Sequence, residues 1–188
     1  QTIEIKWIED NRYDLTIDDI LLIAESKTCY YTISGPMRLG AILAGATENQ
    51  LNSIYHFDQM LGRAFQIIDD LLDLTSDFDG LKKQRGNDIY ESKRTVMLVH
   101  LLGNINSQNK VKLIEILNKS RTQKTQSEVG WVIDQMKQNS SLEYGKKLAS
   151  DFAQKATQIF DTELKFLNKE PFRSQIKSGI EFIINRNH

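Results

Sequence analysis

The chain has 188 residues, 40% of them hydrophobic, with 24 lysines and arginines against 25 aspartates and glutamates. A formal charge of −1 gives no support for nucleic-acid binding through bulk electrostatics, and no apolar run approaches the roughly 20 residues that span a bilayer. The single cysteine, Cys29, excludes an internal disulfide framework and a multi-cysteine zinc site and reads as a small buried thiol.

The start of the chain resembles neither a signal nor a transit sequence, so the expectation is one soluble, cytoplasmic domain. Ten glycines, two prolines and apolar residues spaced by three and four point to an all-α fold. The spacing predicts a short helix over 2–8 and a polar linker over 9–14. Thr16 followed by Asp19 predicts a capping box that opens a helix reaching Ala46. Gly35-Pro36 falls inside that helix, and the missing proline donor predicts a kink or break there. A long helix over about 50–76 follows and stops at Ser76-Asp77-Phe78-Asp79-Gly80. After a basic loop, Asp88 with Glu91 predicts a helix start running to Leu102. Leu113, Ile116 and Leu117 predict a short helix, Thr125 with Glu128 and Ser140 with Glu143 two further starts, and Pro171 a break between the last two helices.

The long helix carries the chain's most informative run, Phe65-Gln66-Ile67-Ile68-Asp69-Asp70-Leu71-Leu72-Asp73. At helical pitch Asp69 and Asp73 stack one turn apart, Asp70 lies next to Asp69, and Gln66 sits one turn before Asp70. Like charges this close repel, and burying one costs several kcal/mol without a cation. Oxygen-only ligands suit a hard ion such as Mg²⁺. The bland alternative is a solvated acidic face. Leu61, Ala64, Phe65, Ile68, Leu71 and Leu72 around the acids argue instead for a helix wall that lines a cavity. Lys27 with Thr28 precedes this wall, and Lys82, Lys83, Arg85, Lys93 and Arg94 follow it. Aspartate-held Mg²⁺ with lysines and a hydroxyl around it is a setting for a diphosphate. Gly86 would let the basic loop approach closely, and the helix start at Asp88 would offer free N–H groups to anions.

The acidic run, together with Gly86-Asn87-Asp88-Ile89-Tyr90-Glu91-Ser92-Lys93-Arg94-Thr95-Val96-Met97-Leu98, resembles the second aspartate-rich region and following helix of the trans-isoprenyl diphosphate synthases. Lys27-Thr28 with Leu39-Gly40-Ala41 and Ala44-Gly45-Ala46 is similar to that family's Lys-Thr segment. Gln1 resembles the glutamine of its Gly-Gln motif, with Glu4 where the family usually has Asp, and Phe182-Ile183-Ile184-Asn185-Arg186 resembles its C-terminal ending. The resemblance implies the helical bundle of isoprenoid synthases and a homodimer. It implies that Asp69, Asp70 and Asp73 bind Mg²⁺ that chelates an allylic diphosphate, assisted by Lys27, Lys83 and Lys93, with Phe65, Gln66 and Thr28 at the substrate. The implied reaction is head-to-tail 1′-4 condensation of that allylic diphosphate with isopentenyl diphosphate, giving a short-chain product such as farnesyl or geranylgeranyl diphosphate.

The family carries two aspartate-rich regions, and one is present here. Asp18-Asp19 lacks a third acid and runs into Ile20, Leu21 and Leu22. The basic motif that holds isopentenyl diphosphate is also missing, so residues 1–188 are expected to be the C-terminal portion of one synthase domain, without turnover alone. Ser92 stands where the family often has Gly. Three other readings stay open: a non-catalytic partner subunit of a heteromeric synthase, a terpene cyclase, and a helical scaffold with an acidic binding face. His56, His100 and His188 lack a matched base or metal set, and Trp7, Trp131, Tyr30 and Tyr31 read as packing residues.

Overall fold

The computed structural model describes residues 2–75 and 85–185, and every regular element among them is helical. Gln1, the expected helix stop at 76–80, Lys82, Lys83, Arg186 and His188 lie outside the described residues. In chain order the elements are α1 (Thr2–Glu9), α2 (Ile17–Ala24), a π-helix (Glu25–Ser34), α3 (Gly35–Leu43), α4 (Glu48–Thr75), α5 (Asn87–Tyr90), α6 (Val96–Asn104), α7 (Ser107–Asn118), a 3₁₀ turn (Arg121–Gln123), α8 (Gln126–Gln138), α9 (Ser141–Thr162) and α10 (Phe172–Asn185). Contacts divide the described residues into two compact units, 2–21 with 69–146 and 22–68 with 147–185.

In the first unit, α6 buries Val96, Met97, Leu98, Leu101 and Leu102, and α8 buries Val129, Val132, Ile133 and Met136. These helices touch, and α8 also touches α5. Each fully buried aliphatic side chain of this kind contributes roughly 1.5–3 kcal/mol. The stripe read on α7 is real, with Leu113, Ile116 and Leu117 all buried. Arg94 fastens the early linker to this unit: its guanidinium lies 4.6 Å from the Tyr13 ring centroid, and its Nε donates to the Arg12 carbonyl at 3.0 Å.

The second unit has its own core, in which Ile54, Phe57 and Leu61 of α4 meet Ala156 and Phe160 of α9, Leu164, and Ile180 of α10. The rings of Phe57 and Phe160 lie 5.7 Å apart in a tilted arrangement. Cys29 is buried against Gly62, as the lone-thiol reading expected, and burial pushes its pKa up to about 12. That thiol is inert at neutral pH.

Two of the capping boxes form as read. Thr16 N–H donates to Asp19 Oδ2 at 2.8 Å while Asp19 N–H donates to Thr16 Oγ1 at 3.2 Å, and Thr125 and Glu128 make the same reciprocal pair at α8. Three expectations need correction. First, of the kink or break expected at Gly35-Pro36, the break does not occur. The preceding ten residues widen into the π-helix, the Gly35 N–H reaches back to the Tyr30 carbonyl, and Ser34 keeps right-handed helical dihedrals. A π turn skips one donor, so a proline lacking its N–H is absorbed by a change of hydrogen-bond register. Second, Asp88 and Glu91 do not cap a helix to Leu102. The carboxylate of Asp88 is drawn to Lys93 and that of Glu91 to Arg121, so α5 ends after one turn and α6 restarts at Val96 under the Thr95 hydroxyl. Third, Ser140 takes a left-handed φ of 56°, and its backbone therefore lacks the extended dihedrals of an N-cap, although α9 does begin at Ser141. Tyr30 and Tyr31 are also not core residues, being 58% and 78% exposed.

Candidate functional site

The first unit holds the acidic turn of α4 and the residues that close on it. Asp70 is almost fully buried, and Lys93 Nζ reaches its Oδ1 at 2.7 Å and Asp88 Oδ2 at 2.9 Å. Lys93 stands in the five-residue gap between α5 and α6, and this gap is what swings its side chain back toward α4. Asp73, half-buried, accepts the Asp88 N–H at 2.9 Å on Oδ2, while its carbonyl accepts the Gly86 N–H at 2.8 Å. The segment after the basic loop thus docks by two backbone donors on a single aspartate.

Gly86 is required there twice over. Its φ is 75°, a left-handed conformation that costs other residues, and a Cβ on it would stand 2.6 Å from Val129 Cγ1. A close approach at Gly86 therefore holds for the packing against α8, which carries Val129. The expectation of free N–H groups at the following helix start does not, because the Asp73 carboxylate already occupies the Asp88 N–H.

The charges respond to this enclosure. Burial works to lower the Lys93 pKa, yet the carboxylates of Asp70 and Asp88 outweigh it and hold the ammonium above its usual range. Asp73 moves upward: burial is the largest cause, the Asp88 N–H and the Lys93 charge oppose it, and the Asp88 charge adds to it. Asp69 is exposed on the same helix.

In the second unit Thr28, 8% exposed on the π-helix, donates its hydroxyl to Gln66 Oε1 of α4 at 2.5 Å. Lys27 is exposed beside it, and Phe65 is half-buried. The structure thus joins Asp70 with Lys93, and Thr28 with Gln66, while Lys83 lies outside the described residues. Asp88 was read only as a cap; the five-residue spacing to Lys93 was the signal that it could be a second carboxylate for that ammonium. The aspartates do not line the pocket of about 260 Å³ that Arg85, Tyr90, Val129, Ile133 and Lys137 help to form. Nor do the described residues gather three or more His, Cys, Asp or Glu side chains tightly enough to hold a metal ion.

The donor chemistry nevertheless fits a hard divalent cation. Asp70 and Asp73 offer carboxylate oxygens alone, and Asp73 is half-buried at a cost to its anion that a nearby cation would relieve.

A fold whose described elements are all helical, with a longest helix that presents aspartates to a returning lysine, places this chain in the all-α class. The model of one family in that class, polyprenyl synthetase, matches residues 1–136, and the chain belongs to that family. A geranylfarnesyl diphosphate synthase of Natronomonas pharaonis is 27% identical over 179 residues, covering 95% of this chain and 49% of its own length. The heptaprenyl diphosphate synthase component 2 of Bacillus subtilis is 32% identical over 125 residues, 66% of this chain and 34% of that one. Among solved structures, the geranylgeranyl pyrophosphate synthetase of Pyrococcus horikoshii superposes with a TM-score of 0.79 at 26% identity, over 97% of this chain and 53% of that one. The geranylgeranyl pyrophosphate synthase of Corynebacterium glutamicum, solved with isoprenyl diphosphate and magnesium, gives a TM-score of 0.85 at 21% identity, over all of this chain and 51% of that one. The all-α fold expected from periodicity is the fold of these proteins. The chain spans about half the length of the first relatives it matches.

Proposed function

We propose that this chain supplies the diphosphate-gripping part of an isoprenyl diphosphate synthase, a prenyltransferase joining an allylic diphosphate to isopentenyl diphosphate. The observation that carries this reading is the buried Asp70 paired with Lys93, one helical turn from the half-buried Asp73. Asp69, Asp70 and Asp73 would hold Mg²⁺, which would supply positive charge to neutralise the diphosphate. Lys93, Lys83 and Lys27 would take further oxygens of the leaving diphosphate. Fixed positive charge of this kind stabilises the anion more as the C–O bond breaks than before. The Thr28 hydroxyl and Gln66 would orient the substrate, and Phe65 would exclude water from the allylic cation. The cation alkylates the double bond of isopentenyl diphosphate, and loss of a proton completes the 1′-4 product.

A short-chain product, a homodimer and a cytoplasmic location belong to the same proposal. A short chain isoprenyl diphosphate synthase of Methanothermobacter thermautotrophicus, 28% identical over 179 residues, supports the first of these. Since the chain spans half the length of such relatives, we also propose that residues 1–188 have no turnover by themselves. A second reading, a subunit of a heteromeric synthase, is favoured by the likeness to a protein named as one component of such an enzyme.

Calorimetric or fluorescence melting of the 188-residue chain tests the proposal. Mg²⁺ with inorganic diphosphate is expected to raise Tm by about 5 °C near saturation, and Asp70→Asn to abolish the rise. An unchanged Tm with both ligands present rejects the reading. In a full-length protein containing this chain, Asp69→Ala or Lys93→Ala is expected to cost about 100-fold or more in rate, and near-normal rates would remove those residues from the mechanism.

A further inference from the structure

Lys124 is a lysine that the reaction does not call for and that solvent scarcely reaches. It is 6% exposed, and its ammonium donates to three neutral oxygens: Tyr90 O at 2.8 Å, Ser92 Oγ at 2.6 Å and Lys119 O at 2.8 Å. Burying an ammonium among neutral acceptors is costly, so the contacts must return something. Two of the three fall on the turn that carries Lys93.

Ser92, at the centre of that turn, is 4% exposed and holds a φ of 55°, where a residue with a side chain is strained. A glycine would take this conformation freely. The serine hydroxyl has an occupation that glycine lacks: it donates to Leu117 O at 2.5 Å while accepting from Lys124. From the other side Arg94, 3% exposed, donates to Ser92 O at 2.7 Å. The turn leading into Lys93 is thus clamped at Tyr90 and Ser92 by two buried cations, and the Lys93 side chain is left to span Asp70 and Asp88.

We propose that Lys124 and Ser92 are a linked pair of positioning residues that fix the turn presenting Lys93 to Asp70. Ser92 gives Lys124 an acceptor at the one point where the turn reverses, and Lys124 offsets the strain that serine brings there. Neither residue touches a ligand; both act through the placement of Lys93. The consequence for diphosphate rests on the function proposed above, whereas the placement of Lys93 does not.

The test is amine acylation of the 188-residue chain with acetic anhydride, followed lysine by lysine by mass spectrometry. Lys93, ion-paired twice and mostly buried, is expected to react slowly in the native chain, unlike the exposed Lys137 and Lys147. In Lys124→Met, which keeps the apolar stem and removes the donors, Lys93 is expected to label about 10-fold faster while Lys137 and Lys147 are unchanged. In Ser92→Gly, where the backbone conformation is retained without strain, the rise is expected to be roughly threefold. Should Lys124→Met fail to fold, seen as uniform fast labelling of every lysine, the glycine variant decides alone. Lys93 labelling within about 1.5-fold of native in Ser92→Gly, or in a folded Lys124→Met, overturns the proposal. Faster Lys93 labelling with no response to Mg²⁺ and inorganic diphosphate in the native chain keeps the positioning pair and rejects the function.

Discussion

Asp58 sits on α4 with no solvent exposure and with neither carboxylate oxygen hydrogen-bonded in good geometry. Burial raises its pKa from the ordinary 3.8 to about 7; the Ser34 hydroxyl and the Arg38 charge ease the anion without supplying a well-formed bond. The sign of the pH effect follows. Between about pH 4 and 7 the folded chain keeps on Asp58 a proton that the unfolded chain has released, so the contribution of Asp58 to stability is greatest below pH 4 and declines as pH rises to 7. The loss across that window amounts to roughly 3–4 kcal/mol. Asp58→Asn, neutral throughout, is expected to raise Tm at pH 8 and to change it little at pH 4; equal shifts at the two pH values would show that Asp58 is not the titrating group. Lys93 sets the opposite case. Lys93→Met is expected to destabilise the fold by about 3 kcal/mol or more, because it takes an ammonium from the buried Asp70 carboxylate, and Asp70→Asn in the same chain is expected to recover much of that loss. Chemical denaturation of the two single variants and the double variant measures this.

Helical glycines separate backbone contact from side-chain contact. A Cβ on Gly62 of α4 would stand 2.9 Å from the Cα and 2.8 Å from the Cβ of Cys29, so the π-helix would have to move as a body. A Cβ on Gly145 of α9 would meet the far end of a flexible side chain, Met97 Sδ, at 2.6 Å. Gly62→Ala is therefore expected to cost roughly 1–3 kcal/mol despite alanine's helix propensity, and Gly145→Ala to fall within about 1 kcal/mol of neutral. Similar costs for both would mean that Met97 is as rigid as backbone. Element boundaries were legible where a local pair decided them. Thr125 and Glu128 cap α8 even though Lys119 pairs with one oxygen of the Glu128 carboxylate, because the other oxygen still accepts the Thr125 N–H at 2.9 Å. Asp88 and Glu91 carry the same spacing and do not cap, because Gly86 is the N-cap and Asp88 lies inside α5, its carboxylate paired with Lys93 and that of Glu91 with Arg121. The pattern of residues around Pro36 announced a disturbance in the helix but not its form, since a π-helix is settled by packing on both sides of the turn.

For the chain as a whole, the helical class was legible from hydrophobic period and the family from motif order, and the fold and the family match over residues 1–136 agree with these. What could not be read was the state of the acids. Spacing alone makes Asp69, Asp70 and Asp73 equivalent, whereas the fold exposes the first, buries the second beneath Lys93 and ties the third to the Asp88 N–H. On the function proposed above, ligand binding would displace these internal partners. The Tm gain from Mg²⁺ with inorganic diphosphate is accordingly expected to exceed the sum of the gains from each alone, and simple additivity in a melting titration would contradict that coupling.

The π-helix of residues 25–34 has one implication for variation among relatives. A run wound more loosely than its flanks holds its surplus length as slack, and removing a single residue from it lets the chain rewind to ordinary pitch with α3 undisturbed. Such a shortening would turn everything upstream, Lys27 and Thr28 included, by a fraction of a turn about the common axis. The segment is thus a place where the gene could gain or lose one codon, keep a folded product, and still part Thr28 from Gln66.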